Sequence, residues 1–155
     1  MEVKRILVVD DDKSIRDGFG EILRTRGYEI EMAETGEQAL SKSRTTTYDL
    51  ALLDIKLPGM EGTKLLAQMH RERPRMMKIM VTGYASLDNA VEAVNFGADA
   101  YVMKPVSPEK LLDLVAEKLK EQEEAERMTE EKVADWVEAR LQKLEAAKAA
   151  TDKST

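Results

Sequence analysis

The sequence predicts an α/β fold, a doubly wound parallel sheet with helices on both faces, and two observations carry that expectation. Over roughly residues 1–120, five short apolar runs alternate with five stretches of helical periodicity. Four of those runs end abruptly on polar groups able to do chemistry: Asp10 and Asp11, Asp54, Thr82, and Lys104. In folds of this kind the working crevice lies beyond the carboxyl ends of the strands, so these groups should converge at one edge of the sheet.

Each element has its own justification. Ile6-Leu7-Val8-Val9 is a continuous β-branched and aliphatic run, as a strand covered on both faces requires, and it stops at Asp10-Asp11-Asp12. From Lys13 to about Arg26, Ile15, Phe19, Ile22 and Leu23 recur at helical spacing, and Gly27 supplies a stop. Tyr28 to Ala33 alternates with Glu29 and Glu31, which predicts a half-exposed or edge strand. Thr35 with Gln38 fits a capping box that opens a helix to about Arg44, and Thr45-Thr46-Thr47 reads as loop. Leu50-Ala51-Leu52-Leu53 is the next buried strand and ends on Asp54.

The stretch Leu57 to Gly62 is punctuated by Pro58 and Gly59 as a loop, and Thr63 to Arg71 carries Leu65, Leu66 and Met69 on a helical face. Lys78 to Val81 is a strand that ends at Thr82-Gly83. Ser86 caps a helix through Asn95 with Ala90, Val91 and Val94 as its apolar positions, and Gly97 closes it. Ala100 to Met103 is the last strand, ending on Lys104-Pro105. Ser107-Pro108 then opens a helix with an N-cap and a first-turn proline.

Composition limits what such a chain does. Its 155 residues suffice for one ordinary domain and a modest remainder, and 43% apolar content supports a core. A net charge of −6 disfavours nucleic acid and anionic membranes unless the charge is unevenly placed. With no cysteine, a disulfide framework and a zinc ribbon are both excluded. The apolar run after Met1-Glu2-Val3-Lys4-Arg5 is too short for a signal peptide or a span, so the expected setting is cytoplasmic, away from membranes.

The converging residues point to phosphoryl transfer. Clustered carboxylates repel one another and need a cation to stay ionised. An oxygen-only set without His or Cys suits a hard ion, Mg²⁺ first and Mn²⁺ second. Lys104 offers a point charge and Thr82 a hydroxyl donor, the groups that hold phosphoryl oxygens. Asp54, alone at its strand end, is the better nucleophile, while Asp10 and Asp11 are placed as metal holders. Taken singly, each has a plain structural reading: Asp10–Asp12 as a solvated helix start, Thr82 as a cap, Lys104 as a surface charge, Tyr101 as a strand aromatic. The joint pattern at one edge outweighs those readings.

Four stretches, Ile6–Asp12, Leu53–Gly62, Val81–Ala85 and Tyr101–Pro105, together resemble the receiver domain of two-component response regulators, in order and in spacing. The similarity covers roughly residues 1–120, with residues 121–155 left as an acidic helical extension. It implies a flavodoxin-like (βα)5 sheet in strand order 2-1-3-4-5. It also implies that Asp54 accepts a phosphoryl group from a sensor histidine kinase or phosphotransfer protein. Asp10, Asp11, Asp54 and the backbone carbonyl of Lys56 would surround the metal, and Lys104 would pair with the phosphoryl group. Thr82 and Tyr101 would form the switch, and the turn at Pro105 admits a cis bond. The output would be contact with a downstream protein, or a homodimer through the last two helices and last strand. Two positions depart from small residues, Lys56 two places after Asp54 and Tyr84 two places after Thr82. Both flank the line of water attack on an aspartyl phosphate and should slow its hydrolysis.

After Pro108 no Gly or Pro interrupts the chain. Leu111, Leu112, Val115 and Leu119 should pack on the sheet, Lys120 to Arg127 reads as a Glu-rich spacer, and Val133, Trp136, Val137, Leu141 and Leu144 form a second apolar face before a frayed end from Ala146 to Thr155. From Lys120 onward there are seven basic and ten acidic residues, so direct DNA binding is not expected. That face could cover its own domain, a twin or a target. Three other functions stay open: an adaptor that is never phosphorylated, a Mg²⁺-dependent phosphatase using Asp10 and Asp12 as a nucleophile pair, and a transcription factor, which would need an output domain besides these elements. The main reading is a switch and not an enzyme in the ordinary sense, its only chemistry being its own phosphorylation and dephosphorylation.

Overall fold

The computed structural model describes residues 2–153. Its elements are β1 (Arg5–Val9), α1 (Lys13–Arg24), β2 (Glu29–Ala33), α2 (Gly36–Thr45), β3 (Leu50–Leu53), α3 (Gly62–Glu72), β4 (Met77–Thr82), α4 (Leu87–Asn95), β5 (Ala100–Met103) and α5 (Pro108–Lys153). The five strands form one parallel sheet in the order β2-β1-β3-β4-β5, the flavodoxin-like arrangement the motifs imply. Alternating β2 is an edge strand, and the continuously apolar β1 and β3 lie side by side within the sheet.

Side chains alternate between two cores, as the period of two in a strand dictates. Leu7, Val9, Ala51, Leu53 and Met80 meet Ala39 and Leu40 of α2, Leu65, Leu66 and Met69 of α3, and Ala93 of α4. Ile6, Val8, Leu50, Leu52, Ile79 and Val81 meet Leu23 of α1 and Leu111, Val115 and Leu119 of α5. A fully buried Leu contributes roughly 1.5–3 kcal/mol, so the two layers hold the sheet as a rigid platform.

Helix starts follow the caps. Asp12 accepts from the N–H groups of Ser14 and Ile15, Thr35 from Gln38, Ser86 from Asn89, and Ser107 from Lys110. The Gln38 side chain reaches back to the N–H of Glu34 at 2.9 Å, one residue short of the expected box partner. α4 differs from expectation. Ala93 is its buried residue, while Val91 and Val94 are 52% and 66% exposed. The small side chain of Ala93 is the one that enters the core, and the larger apolar residues stay outside.

One compact unit ends at Leu119 and a second begins at Lys120. Within the second, Val133, Trp136, Val137, Leu141 and Leu144 are exposed. The helix runs through Ala146 to Lys153, where Ala146, Ala147, Ala149 and Ala150 supply the residue with the highest helix propensity. Ser154 and Thr155 lie outside the described residues. No described helix is long and apolar enough to cross a membrane.

Candidate functional site

The sheet delivers its strand ends to one place. The Asp10 N–H donates to the Ala33 carbonyl at 3.2 Å and the Asp54 N–H to the Val9 carbonyl at 3.1 Å, so both acids leave adjacent strands under backbone control. Oxygens of Asp10, Asp11 and Asp54 lie within 4.8 Å of one another, with Asp11 exposed and the other two buried. Lys104 bridges the buried pair, its Nζ donating to Asp10 Oδ2 at 2.6 Å and to Asp54 Oδ2 at 3.1 Å.

Two effects oppose each other at this bridge. Burial pushes the Asp54 carboxyl above the ordinary carboxylate value, against the charge and hydrogen bond of Lys104. Burial alone would pull Lys104 down, but the hydrogen bond and charge of Asp10, followed by those of Asp54, outweigh it and hold the ammonium above its usual value. Lys104 is therefore firmly charged, in a geometry that keeps two buried carboxylates compatible.

One atom at the centre of this group is left over. Asp54 Oδ1 is buried and has no well-formed hydrogen bond among the described residues, although the Ile55 N–H approaches the carboxylate. A buried, orphaned carboxylate oxygen is costly, and such an atom beside two further carboxylates suits a hard cation. The donor set thus fits Mg²⁺, with Asp10, Asp11 and Asp54 as the residues to hold it. Asp12 is engaged elsewhere: its Oδ1 accepts from Ser14 and Ile15 as the cap of α1, which leaves Asp10 and Asp12 poorly placed as a nucleophile pair.

Thr82 ends β4 fully buried, and its hydroxyl accepts from the Tyr84 N–H at 3.0 Å. The Lys104 N–H donates to the Thr82 carbonyl at 2.9 Å, so the phosphoryl-binding candidates share a backbone tie. The peptide bond from Lys104 to Pro105 is cis. Tyr101 packs, partly buried, against the core on the α2–α4 side, and its hydroxyl is buried without a hydrogen-bond partner among the described residues. Lys56 lies two residues beyond Asp54 in the same loop, and its ammonium stands 4.0 Å from the centroid of the Tyr84 ring. The two positions singled out for their bulk therefore touch each other.

Two residues that sequence reasoning passed over help build the site. Arg16, 6% exposed, donates from Nη1 to the Asp10 carbonyl at 2.7 Å and pins the turn after β1. Its spacing on α1 looks like that of any surface arginine, so only the fold reveals the contact. Gly62 donates to the Ile55 carbonyl at 2.6 Å, and a Cβ there would stand 1.9 Å from the Asp54 carbonyl oxygen. The loop after β3 closes over Asp54 because position 62 has no side chain.

Comparison with known proteins agrees with this geometry. The family model of the response regulator receiver domain matches residues 6–116. The response regulator protein FleR of Pseudomonas aeruginosa is 34% identical over 112 residues, which are 72% of this chain and 24% of that protein. The transcriptional regulatory protein ZraR of Klebsiella oxytoca is 40% identical over 114 residues, 74% of this chain and 26% of that protein. The chain thus spans about a quarter of the length of these curated relatives. A crystal structure of a CheY-like response regulator receiver domain protein from Methanospirillum hungatei JF-1 is 56% identical with a TM-score of 0.79, covering 80% of this chain and 99% of that one.

Proposed function

The chain belongs to the response regulator receiver family, and on that premise we propose that it is a phosphoryl-accepting switch with Asp54 as the acceptor. The observation that carries this is the buried Asp54 carboxylate, with one oxygen held by Lys104 and the other without a well-formed hydrogen bond among the described residues, beside Asp10 and Asp11.

In the proposed reaction a carboxylate oxygen of Asp54 attacks the phosphorus of a phosphohistidine on a sensor kinase or phosphotransfer protein. The phosphorus–nitrogen bond breaks, the imidazole leaves with the electron pair, and an acyl phosphate remains. Asp10, Asp11 and Asp54, with the Lys56 carbonyl, would hold Mg²⁺ (or Mn²⁺), which when bound would neutralise the phosphoryl charge. Lys104 keeps its proton throughout and moves its hydrogen bonding from the Asp54 carboxylate to a phosphoryl oxygen. Thr82 gives up the Tyr84 N–H and donates its hydroxyl to another phosphoryl oxygen. That movement changes the packing behind Thr82, where the inward Tyr101 ring already sits, and the local charge change biases a two-state element.

The readout of that element lies along α4 and β5. Exposed Leu87 and Met103 line a groove with Ala85, Ser86, Tyr101 and Lys110, and Val91 and Val94 are exposed further along α4, a surface suited to a protein target. ZraR is named a transcriptional regulator; residues 120–155 of this chain are acidic overall, so protein contact and not DNA contact is the proposed output of that segment. The test is incubation with radiolabelled acetyl phosphate and Mg²⁺. Label that is lost to hydroxylamine, as an acyl phosphate is, and absent in chelator supports the proposal. Label of ester stability, or none at all, refutes it.

A further inference from the structure

The helical extension carries a pattern that the switch does not use. On a helix of 3.6 residues per turn, Val133, Val137, Leu141 and Leu144 fall on one face, with Trp136 and Arg140 along one flank. Every one of these residues is exposed. The same face continues with Glu126 and Glu130 before the apolar patch and with Lys148 after it, all likewise exposed. We propose that this face pairs antiparallel with the same face of a second copy of the chain.

Charge decides both the occupant and the direction. In an antiparallel pair centred on the patch, Val133 lies opposite Leu144 of the second copy, Val137 opposite Leu141, and Glu130 opposite Lys148. Each contact occurs twice by symmetry. The shared flank meets itself, so Trp136 comes beside Arg140 of the second copy, a favourable stack of cation on indole. A parallel pair would set Glu126 and Glu130 against their own copies and Lys148 against Lys148. The wider charge distribution favours the same direction. Residues 120–131 carry six Glu against Lys120 and Arg127, whereas residues 138–153 carry four basic residues against three acids. Antiparallel pairing lays the acidic half on the basic one, and parallel pairing lays acid on acid. The patch is thus complementary to itself, a property that docking onto an unrelated target would not require.

The inference is independent of the chemistry at Asp54 and is tested on the full chain by sedimentation over a micromolar concentration series. The wild type is expected to dimerise. Lys148→Glu and Glu130→Lys should each weaken the dimer about five- to tenfold, since each reversal turns two attractive contacts into repulsive ones. Combining the two reversals in one chain should restore the wild-type value within about twofold. A parallel pair would show no such rescue. A second readout uses the absence of native cysteine. Chains carrying Val133→Cys mixed with chains carrying Leu144→Cys should form a disulfide, while Val133→Cys alone should not, its two copies lying roughly 16 Å apart along the axis. Overturning results are a monomer at every concentration, which means that the face is covered by its own chain or kept for another protein, failure of the double reversal to rescue, or self-crosslinking of Val133→Cys.

Discussion

The ammonium of Lys56 lies 4.0 Å from the centroid of the Tyr84 ring, joining the loop after β3 to the loop after β4. A contact of this kind at an exposed site is worth about 0.5–1 kcal/mol, a factor of about 2–5 in a rate. If it stands over the aspartyl phosphate, it restricts the line along which water attacks. Lys56→Ala and Tyr84→Ala should each speed loss of the phosphoryl group by about that factor, and the double substitution should gain little over either single one. Decay of phosphorylated protein after removal of the donor measures this, and an unchanged rate in the double variant would refute the role.

Lys104 is the cation that lets Asp10 and Asp54 share a buried site. Truncating one partner of a buried ionic group costs about 3–5 kcal/mol, and a Lys104 side chain that is 16% exposed should cost somewhat less, about 2 kcal/mol. Lys104→Ala should therefore lower stability in chelator by about that amount in urea unfolding. Added Mg²⁺ should recover more stability in the variant than in the wild type, because the variant's carboxylates lack their other cation.

Gly62 should tolerate no side chain. With a Cβ 1.9 Å from the Asp54 carbonyl oxygen, Gly62→Ala must displace the loop or the end of β3, an overpacking that costs about 1–3 kcal/mol. Phosphorylation by acetyl phosphate should slow along with the loss of stability, since the displaced atom belongs to Asp54. Gly18→Ala, where nothing lies within 4 Å of a built Cβ, is the matched control and should be neutral or slightly stabilising.

Lys78 predicts an alkaline gain in stability. It is fully buried on β4, donates to the Arg73 carbonyl at 2.6 Å, and burial pulls its pKa from 10.5 to about 8. Below pH 8 both folded and unfolded chains hold the proton, and stability does not change with pH on its account. Between pH 8 and 10.5 the unfolded chain binds a proton that the folded chain has released, so stability rises with pH, by up to about 3 kcal/mol in all. Lys78→Met should lack this rise. The difference between the two unfolding free energies, measured at pH 7, 9 and 10, isolates it, and a constant difference would refute it.

Much of this site could be read before any coordinates, because the parallel sheet turns strand order into proximity. Asp10, Asp54, Thr82 and Lys104 each follow a continuous apolar run, and a doubly wound sheet sends all such ends to one edge. What could not be read depends on distance across the fold. Arg16 reaches the Asp10 carbonyl from the first turn of a helix, and nothing in the spacing marks it. Gly62 looked like one more loop glycine until the Asp54 carbonyl was found against it. The burial of Ala93 in place of Val91 and Val94 depends on how closely α4 approaches the sheet, a tertiary quantity that helical periodicity does not contain.

The most direct test of the central claim is intact mass spectrometry after incubation with acetyl phosphate and Mg²⁺, with wild type and Asp54→Asn measured side by side. The account predicts a gain of one phosphoryl group in the wild type, and none in the variant or in the presence of chelator. A gain of the same size in Asp54→Asn, or no gain in the wild type under these conditions, would contradict it.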